Sequence, residues 1–599
     1  IYTTVHTLSL HDALPIGLAF PEREPGAVLA AARRIWEETG RRSPGAERRG
    51  LLVSERVPAA SGSIASETLL SLKQDPAFGP ILVLGLGGVL TEWYGALSGG
   101  ASTLVLQPGA VRPALELAAQ TMPAFSLLFR PSRLHAVPPL DLERTIERLE
   151  ALGRLAEEWG RAAAFPFTLE ELEVNPMLLT TDGRWVAVDG VGRVTREKTQ
   201  TTSRPLGKIA NLLRPRSCVV LGASAKGMNP GRIILRNLKS SDGVAYGHIY
   251  AVHPKEAAID GIPCVRTLAD LPEKVDLAVV SIPAEGARDS IREICEKDLA
   301  FSIILIPGGF AETGKKELEG EIIAALRASR SNPGGGPVLV GGNCLGIVSK
   351  RQYNTFFLPL YKLPFHDARG DEVAAISQSG AYLVTLASNY DGIIFPRVSV
   401  SYGNQMDLTV ADFLEYYLEH EPVPVLACYI EGFKPLDGGR FVRLARELRE
   451  RGTRVIAFKG GKTALGAKAA QSHTASLAGD YAVARSLMSQ AGVIVAETLD
   501  MFEDFIRIFT MLAGRGQKGG GRRLGVISNA GFECATVLDR LYRLELASLS
   551  QETQAALRGL DGQRVALTLT SPPLALEIRV DGEALRVGPR DAQREPDLG

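Results

Sequence analysis

From Ser217 to Gly461 the chain repeats one pattern: short, unbroken apolar runs separated by polar segments of helix length. SCVVLGAS, HIYAVHP, VDLAVVSIP and FSIILIPGG form a first set, and PVLVGGNCLGI, EVAAISQSG, PVLACYIEGF and TRVIAFKGG a second. A strand with one wet face alternates apolar and polar residues. A strand covered on both faces has no reason to, so continuous runs of this kind predict parallel sheets buried between helices. A third set opens at RRLGVISNAG, after the linker GRGQKGGGRR, and stays short. The units are alike in kind, but no fixed-period repeat relates them.

The segment 17–200 has a different character. PGAVLAAARRIWEETG and LERTIERLEALGRLAEEWGRA carry helical periodicity, LLVSERVP and ILVLGLGGVLTEW read as strands, and LEVNPMLLT and RWVAVDGVGR flank a hairpin turn at Thr181-Asp182-Gly183. This is α+β, closed by the polar linker TREKTQTTSRPLGK. Residues 1–16 have no usable period, and their tail, TLSLHDALPI, reads like a frame of a sequencing adapter. We expect them to be an artefact, with no role for His6 or His11. Residues 561–599 neither complete the third unit nor resemble the others, and the sequence gives no physical account of them.

At 599 residues the chain has room for about three to five domains. Lys plus Arg and Asp plus Glu both number 67, so no global field draws nucleic acid or an anionic membrane. The longest apolar runs are too short and glycine-rich to span a bilayer. The six cysteines are scattered without a C-x-x-C pair. That argues against zinc or a disulfide framework and for a reducing, cytoplasmic setting.

Several strand ends carry chemistry. LGASAKGMNPGRII places Gly222, Gly227 and Gly231 between a strand and a helix, with Ala223, Ser224 and Asn229 in the turn. Such a turn brings backbone N–H groups to a phosphate at a helix N-terminus. Its spacing is neither G-x-G-x-x-G nor a P-loop. The next strand ends at His253-Pro254-Lys255, and a basic residue there suits a phosphorylated ribose better than a free 2′-hydroxyl. Ser377-Gln378-Ser379-Gly380 and Ser528-Asn529-Ala530-Gly531 each put hydroxyl, amide and glycine at a helix start, where donors and the positive dipole end point outward. Taken singly, each is more often just a helix cap. Lys459 to Asp480, KGGKTALGAKAAQSHTASLAGD, presents His473 on a loop of small residues, a composition suited to carrying an imidazole between partners, and this stretch alone reads equally as a polar surface loop with an incidental histidine. GGKT within it lacks the upstream glycine of a P-loop, because Ile456 stands there.

Taken together, GASAKGMNPG, GGNCLG, ISQSGA, SYGNQMD, YIEGF, QSHTASLAGD and ISNAG resemble the NDP-forming acyl-CoA synthetases, the ADP-forming acetate–CoA ligases related to succinyl-CoA synthetase. The resemblance covers about Gly17 to Leu560. It implies a partial ATP-grasp domain at 17–200, a CoA-binding Rossmann-like domain at 205–335, a flavodoxin-like ligase domain at 336–500 and the start of a second at 501–560. By the same resemblance His473 would be the phosphorylated histidine and Glu431, in YIEGF, the carboxylate that orients it. Gly222, Ala223, Ser224, Gly227, Asn229 and Lys255 would meet CoA. The turns at Ser377–Gly380 and Ser528–Gly531 would hold the histidine's phosphate. Glu55, in ERVP, would contact the nucleotide, and Asn175 and Asp189 would be ligands of Mg²⁺.

The implied reaction interconverts acyl-CoA, ADP and phosphate with a small carboxylic acid, CoA and ATP. The implied partners are those small molecules, with no nucleic acid and no membrane, and a homo-oligomer is compatible with them. There are departures from the family pattern. Gly342 replaces a usual Pro, Ala475 and Phe532 replace usual glycines, and the family's first ATP-grasp subdomain would precede Gly17. A CoA-binding regulatory or degenerate, non-catalytic homologue is the alternative. An oxidoreductase is disfavoured by the missing acidic ribose ligand.

Overall fold

The computed structural model describes residues 24–42, 67–87, 102–131, 137–180, 182–200, 203–363, 369–463 and 480–513, with shorter stretches elsewhere up to Val587. The chain starts with helix α1 (Pro25–Arg42), whose residues are all at least partly exposed. Strands β1 (Glu67–Asp75), β2 (Gly79–Leu86) and β3 (Thr103–Leu106) follow, then helices α2 (Val111–Thr121), α3 (Pro123–Phe129) and α4 (Leu142–Glu158), then β4 (Thr168–Leu179), β5 (Trp185–Ala187) and β6 (Gly190–Thr195). They form one antiparallel sheet in the order β3-β2-β1-β4-β5, with β6 also paired to β4. Leu82, Leu84 and Leu86 alternate toward a core they share with Leu115, Phe125, Ile146 and Leu149 of the helices. Asp141 starts α4 by accepting a hydrogen bond from the Arg144 amide. The expected hairpin is present, with Leu179 opposite Trp185. The run RWVAVDGVGR, however, is two strands, because β4 carries β5 on one side of its end and β6 along its length. β1 went unread in the sequence, since Lys73, Gln74 and Asp75 blunt its apolar signal.

The second unit contains α5 (Ile209–Leu213), β7 (Cys218–Leu221), α6 (Pro230–Lys239), β8 (Ile249–Val252), β9 (Ala258–Ile259), β10 (Ile262–Val265), β11 (Val275–Val280), α7 (Ala284–Lys297), β12 (Ala300–Leu305), α8 (Lys316–Ser329) and β13 (Val338–Gly341). Its sheet runs β13-β12-β11-β7-β8-β10-β9 and is parallel except for the β9–β10 pair. Every residue of β7 and β11 is buried, as continuous apolar runs require. By its sequence PVLVGGNCLGI opens the second set. Instead Val338–Gly341 pairs in parallel with β12 and completes the first sheet.

The third unit contains β14 (Ile347–Ser349), β15 (Tyr353–Asn354), β16 (Val373–Ser377), α9 (Gly380–Asn389), β17 (Val398–Ser401), α10 (Val410–Glu419), β18 (Val425–Ile430), α11 (Asp437–Glu450), β19 (Arg454–Lys459), α12 (Tyr481–Gln490), β20 (Ile494–Ala496) and α13 (Leu499–Ala513). Its sheet runs β15-β14-β17-β16-β18-β19-β20, parallel from β17 onward and antiparallel at β14 and β15. Beyond it, β21 (Arg523–Leu524), α14 (Gly531–Leu538) and β22 (Glu545–Leu546) begin a parallel pairing. The tail forms an antiparallel meander of β23 (Val565–Thr570), β24 (Ala575–Val580) and β25 (Glu583–Val587).

Two joints fix the units to one another. The β1–β2 turn enters the loop between β18 and α11. Phe78 stands edge-on to Phe433 with ring centroids 5.5 Å apart, and Pro76 O accepts a hydrogen bond from the Leu436 amide at 2.9 Å. Gly438 and Gly439 make room for this turn, because a Cβ on Gly439 would lie 2.5 Å from Phe78 O. Around the second joint, buried Asp407 accepts hydrogen bonds from Arg204 at 3.2 Å, Arg330 at 2.6 Å and the Leu339 amide at 3.0 Å. Fully buried Asp412 meets Arg440 at 2.6 Å and Arg204 at 3.3 Å.

Phe78→Ala is expected to cost about 3–5 kcal/mol, the usual range for emptying a buried aromatic site. A urea titration read by intrinsic fluorescence would show it as a lowered midpoint.

Candidate functional site

The glycine turn after β7 is built for close approach. Gly222 has φ +96°, and a Cβ there would lie 2.3 Å from Ser281 O, so no side chain fits. A Cβ on Gly231 would lie 2.6 Å from Gly222 O, so α6 starts hard against the turn. Asn229 closes the loop. Its Oδ1 accepts from the Arg232 amide at 3.0 Å and the Ser224 amide at 3.1 Å, and its Nδ2 donates to Gly222 O at 2.8 Å. Ser224 Oγ accepts from the Gly227 amide at 3.2 Å. Ala223 is buried beneath. Leu221 is in register with Val252, so exposed Lys255 stands at the same sheet edge, one strand over.

At the end of β16, Ser379 caps α9, accepting from the Tyr382 amide at 3.3 Å, while Ser377 Oγ donates to Ser379 O at 2.7 Å. Gly380 is required here too, because a Cβ would lie 2.6 Å from Leu345 Cβ. Gln378 has a job the sequence did not reveal. Its Oε1 accepts from the amides of Glu431 at 2.8 Å and Gly432 at 3.1 Å. Its buried Nε2 has no hydrogen-bond partner among the described residues.

Glu431 follows β18 and is buried, 8% exposed. Its main chain is held from both sides. Gln378 takes its N–H, and Lys459 Nζ donates to its carbonyl at 2.8 Å and to Gly460 O at 2.7 Å. Gln405 Nε2 donates to Gly432 O at 3.0 Å, so the SYGNQMD loop clamps the same turn. Burial pulls the Lys459 ammonium down to about 8, partly opposed by the charge of Glu431. This geometry fixes where the carboxylate starts. His473, Ser528, Asn529, Ala530 and Glu55 lie outside the described residues; Gly531 begins α14.

A cleft of about 580 Å³ runs between the second and third units. Pro230, the first residue of α6, and Gly308 line one side, and Gln378, Ser379 and Gly380 line the other. It thus joins the glycine turn to the α9 N-terminus. Asn343 and Asn404 also face it, and Asn404 Nδ2 is braced by Glu312 at 2.7 Å. Lys459, Gln405, Asn404, Asn343 and Glu312 were given no role from sequence. Lys459 opens the His473 loop, and SYGNQMD and GGNCLG were visible as motifs, so the signal was present without its meaning.

In the first unit, Asn175 and Asp189 are brought together: the Asn175 amide donates to Asp189 O at 3.2 Å, across the β4–β6 pairing. Asp189 Oδ1 accepts from the Gly190 amide. Mg²⁺ is usually held by one or two carboxylates together with substrate phosphates rather than by an all-protein cage. Asn175 and Asp189, neighbours through their main chains, are residue types that this donor set uses, and the described residues contain no cluster of three His, Cys, Asp or Glu side chains.

A glycine turn and a second helix N-terminus share one cleft in a protein of α/β build, with a buried glutamate held by one of the cleft's lining residues, Gln378. Domain models agree along the chain: an ATP-grasp domain at 17–194, a CoA binding domain at 216–350 and a succinyl-CoA ligase like flavodoxin domain at 370–509. The alpha subunit of acetate–CoA ligase [ADP-forming] II from Pyrococcus furiosus is 31% identical over 357 residues, covering 57% of this chain and 71% of that one. Acetate–CoA ligase [ADP-forming] I from Archaeoglobus fulgidus is 33% identical over 349 residues, but the match spans only 47% of it. Dinucleotide-forming acetyl-coenzyme A synthetase 1 of Ca. Korarchaeum cryptofilum, solved with phosphate and ADP, superposes with TM-score 0.51 at 27% identity, over 61% of this chain and 75% of that one. The chain belongs to the NDP-forming acyl-CoA synthetases. No described helix is long and apolar enough to cross a membrane.

Two outcomes follow from the geometry. Asn229→Ala removes the α6 cap, at about 1 kcal/mol, and is expected to weaken CoA binding measured by calorimetry. A lysine depressed by burial binds fewer protons folded than unfolded between pH 8 and its ordinary 10.5. Stability of the native protein should therefore rise across that window relative to Lys459→Met. Urea midpoints of the two proteins at pH 7.5, 9 and 10.5 check the sign.

Proposed function

We propose that the chain interconverts acyl-CoA, ADP and phosphate with a carboxylic acid, CoA and ATP by way of a phosphohistidine at His473. The observation that carries this reading is Glu431: a buried carboxylate whose main chain is fixed by Gln378 and Lys459, beside the Ser379–Gly380 helix start that lines the cleft. In the first step a phosphate oxygen attacks the thioester carbon and the C–S bond breaks. CoA leaves as the thiolate and takes up a proton, and an acyl phosphate remains. The amides at the start of α9 and the spare Gln378 donor are placed to hold the phosphoryl oxygens as charge builds on them.

In the second step a ring nitrogen of His473 attacks phosphorus and the bond to the acyl oxygen breaks, freeing the carboxylate. A carboxylate on the other ring nitrogen sets the tautomer and steadies the developing imidazolium, which is the role we give Glu431. An ADP oxygen then takes the phosphoryl group and the N–P bond breaks. Asn175 and Asp189 would hold Mg²⁺, which supplies charge neutralisation for the nucleotide phosphates. The Ser528–Gly531 turn would receive the phosphohistidine in one of its two positions. The five described cysteines are free thiols, as suits a cytoplasmic enzyme.

Incubation with labelled phosphate and short acyl-CoAs should leave acid-labile label on the protein. His473→Ala should lose the label while keeping CoA affinity. Glu431→Gln should slow labelling by about 100-fold, as loss of an electrostatic stabiliser does. Label that survives in His473→Ala would overturn His473 as the carrier, and no label with any acyl-CoA in a folded protein that binds CoA would overturn the reading in favour of a binding-only homologue.

A further inference from the structure

In the function proposed above, the polar half of the cleft takes phosphate and the end of CoA. Its other half is apolar, formed by Ile306, Leu345, Phe357, Leu358 and Val384. Val384 lies one turn along α9 from Gly380, on the same face, so its side chain stands about 5 Å down the helix from the amides that would hold phosphate. A thioester carbon positioned for attack by that phosphate would have this apolar face beside it. Among the described residues, no charged side chain lines the cleft.

Phe357 and Leu358 form the facing part of the wall, and their position is set from the CoA-binding unit. Asn237 of α6, 3% exposed, donates from Nδ2 to Phe356 O at 2.8 Å and to Leu358 O at 3.0 Å. On the other side, the Phe356 amide donates to Asn354 Oδ1 at 2.8 Å. A buried amide that spans two carbonyls fixes the intervening residue without touching it, so Phe357 is held where it is. The cleft measures about 580 Å³, within the range of small-molecule sites.

We propose that Phe357, Leu358 and Val384 are the acyl-selecting wall, with Asn237 as its positioning residue, and that the thioester accepted carries a bulky apolar acyl group, branched or aromatic, rather than acetyl or a dicarboxylic acyl group. This rests on the acyl-CoA phosphorolysis proposed above. A small acyl group leaves apolar wall facing water, and a second carboxylate there would be desolvated with no cation among the described lining residues to meet it.

The test is arsenate-dependent release of CoA, followed with a thiol reagent, because acyl arsenates hydrolyse and let the half-reaction turn over without nucleotide. The full chain is assayed with acetyl-, isovaleryl-, phenylacetyl- and succinyl-CoA. We expect kcat/KM for isovaleryl- or phenylacetyl-CoA to exceed those for acetyl- and succinyl-CoA at least tenfold, since each well-placed methylene contributes about 10-fold or more. Val384→Phe should collapse the ratio of phenylacetyl- to acetyl-CoA, and Val384→Ala should raise it. Asn237→Leu should lower the same ratio through KM for the bulky substrate, a change that a merely structural loss would not confine to one acyl group. Acetyl- or succinyl-CoA turned over as well as the bulky thioesters, or ratios unmoved by the Val384 pair, would overturn the acyl wall and leave the ligase reading standing. No arsenate-dependent release from any thioester would instead overturn the reading on which it rests.

Discussion

The arrangement of the cleft depends on a buried set of charges that compensate one another across domain boundaries. Asp407 and Asp412 are removed from water, and neither carboxylate is tolerable there unless guanidinium groups meet it. Those groups come from three places: Arg204 from the linker after the first sheet, Arg330 from beyond α8 of the CoA-binding unit, and Arg440 from α11 of the flavodoxin-like unit. Asp437 lies beside them, its carboxyl pushed well above the usual carboxylate range by burial and by Asp412. Breaking one partner leaves an uncompensated charge inside, which is far costlier than the pair's net contribution. The units cannot slide or open at this seam without exposing or orphaning a charge, so the two sides of the cleft keep their spacing.

The seam and the site are continuous. Asp407 ends the loop that carries Asn404 and Gln405, and Gln405 clamps the turn that starts at Glu431. The same turn continues to Phe433 and Leu436, where the β1–β2 turn of the ATP-grasp sheet is docked. One loop between β18 and α11 therefore has a catalytic candidate at its start and a domain joint at its middle. The proposed chemistry needs a carboxylate that stays in place while a histidine arrives and leaves. The Glu431 main chain is held by hydrogen bonds to Gln378 and Lys459.

Much of this was legible from sequence, for a definite physical reason. Strands such as VDLAVV and VLACYI are buried on both faces, so their runs are unbroken and easy to see. Gly222 was legible because its positive φ and the approach of Ser281 exclude every other residue. What stayed hidden depends on pairing. VLVG reads the same whichever sheet receives it, and only the bonds to β12 assign it. Lys459 and Asn237 are ordinary polar letters in ordinary places. Their roles arise from carbonyls 28 and about 120 residues away, which no local pattern encodes.

The docking of Phe78 has a consequence for how such a chain can be divided. Ala77, Phe78 and Ile81 belong to the same buried cluster as residues of both later units, so the first sheet is anchored by contact as well as by the linker near Arg204. Covalent continuity there mainly raises the local concentration of one piece around the other. A gene split within that linker would give two polypeptides whose matching surfaces already exist, and the joint would become a subunit interface with no new contact to invent.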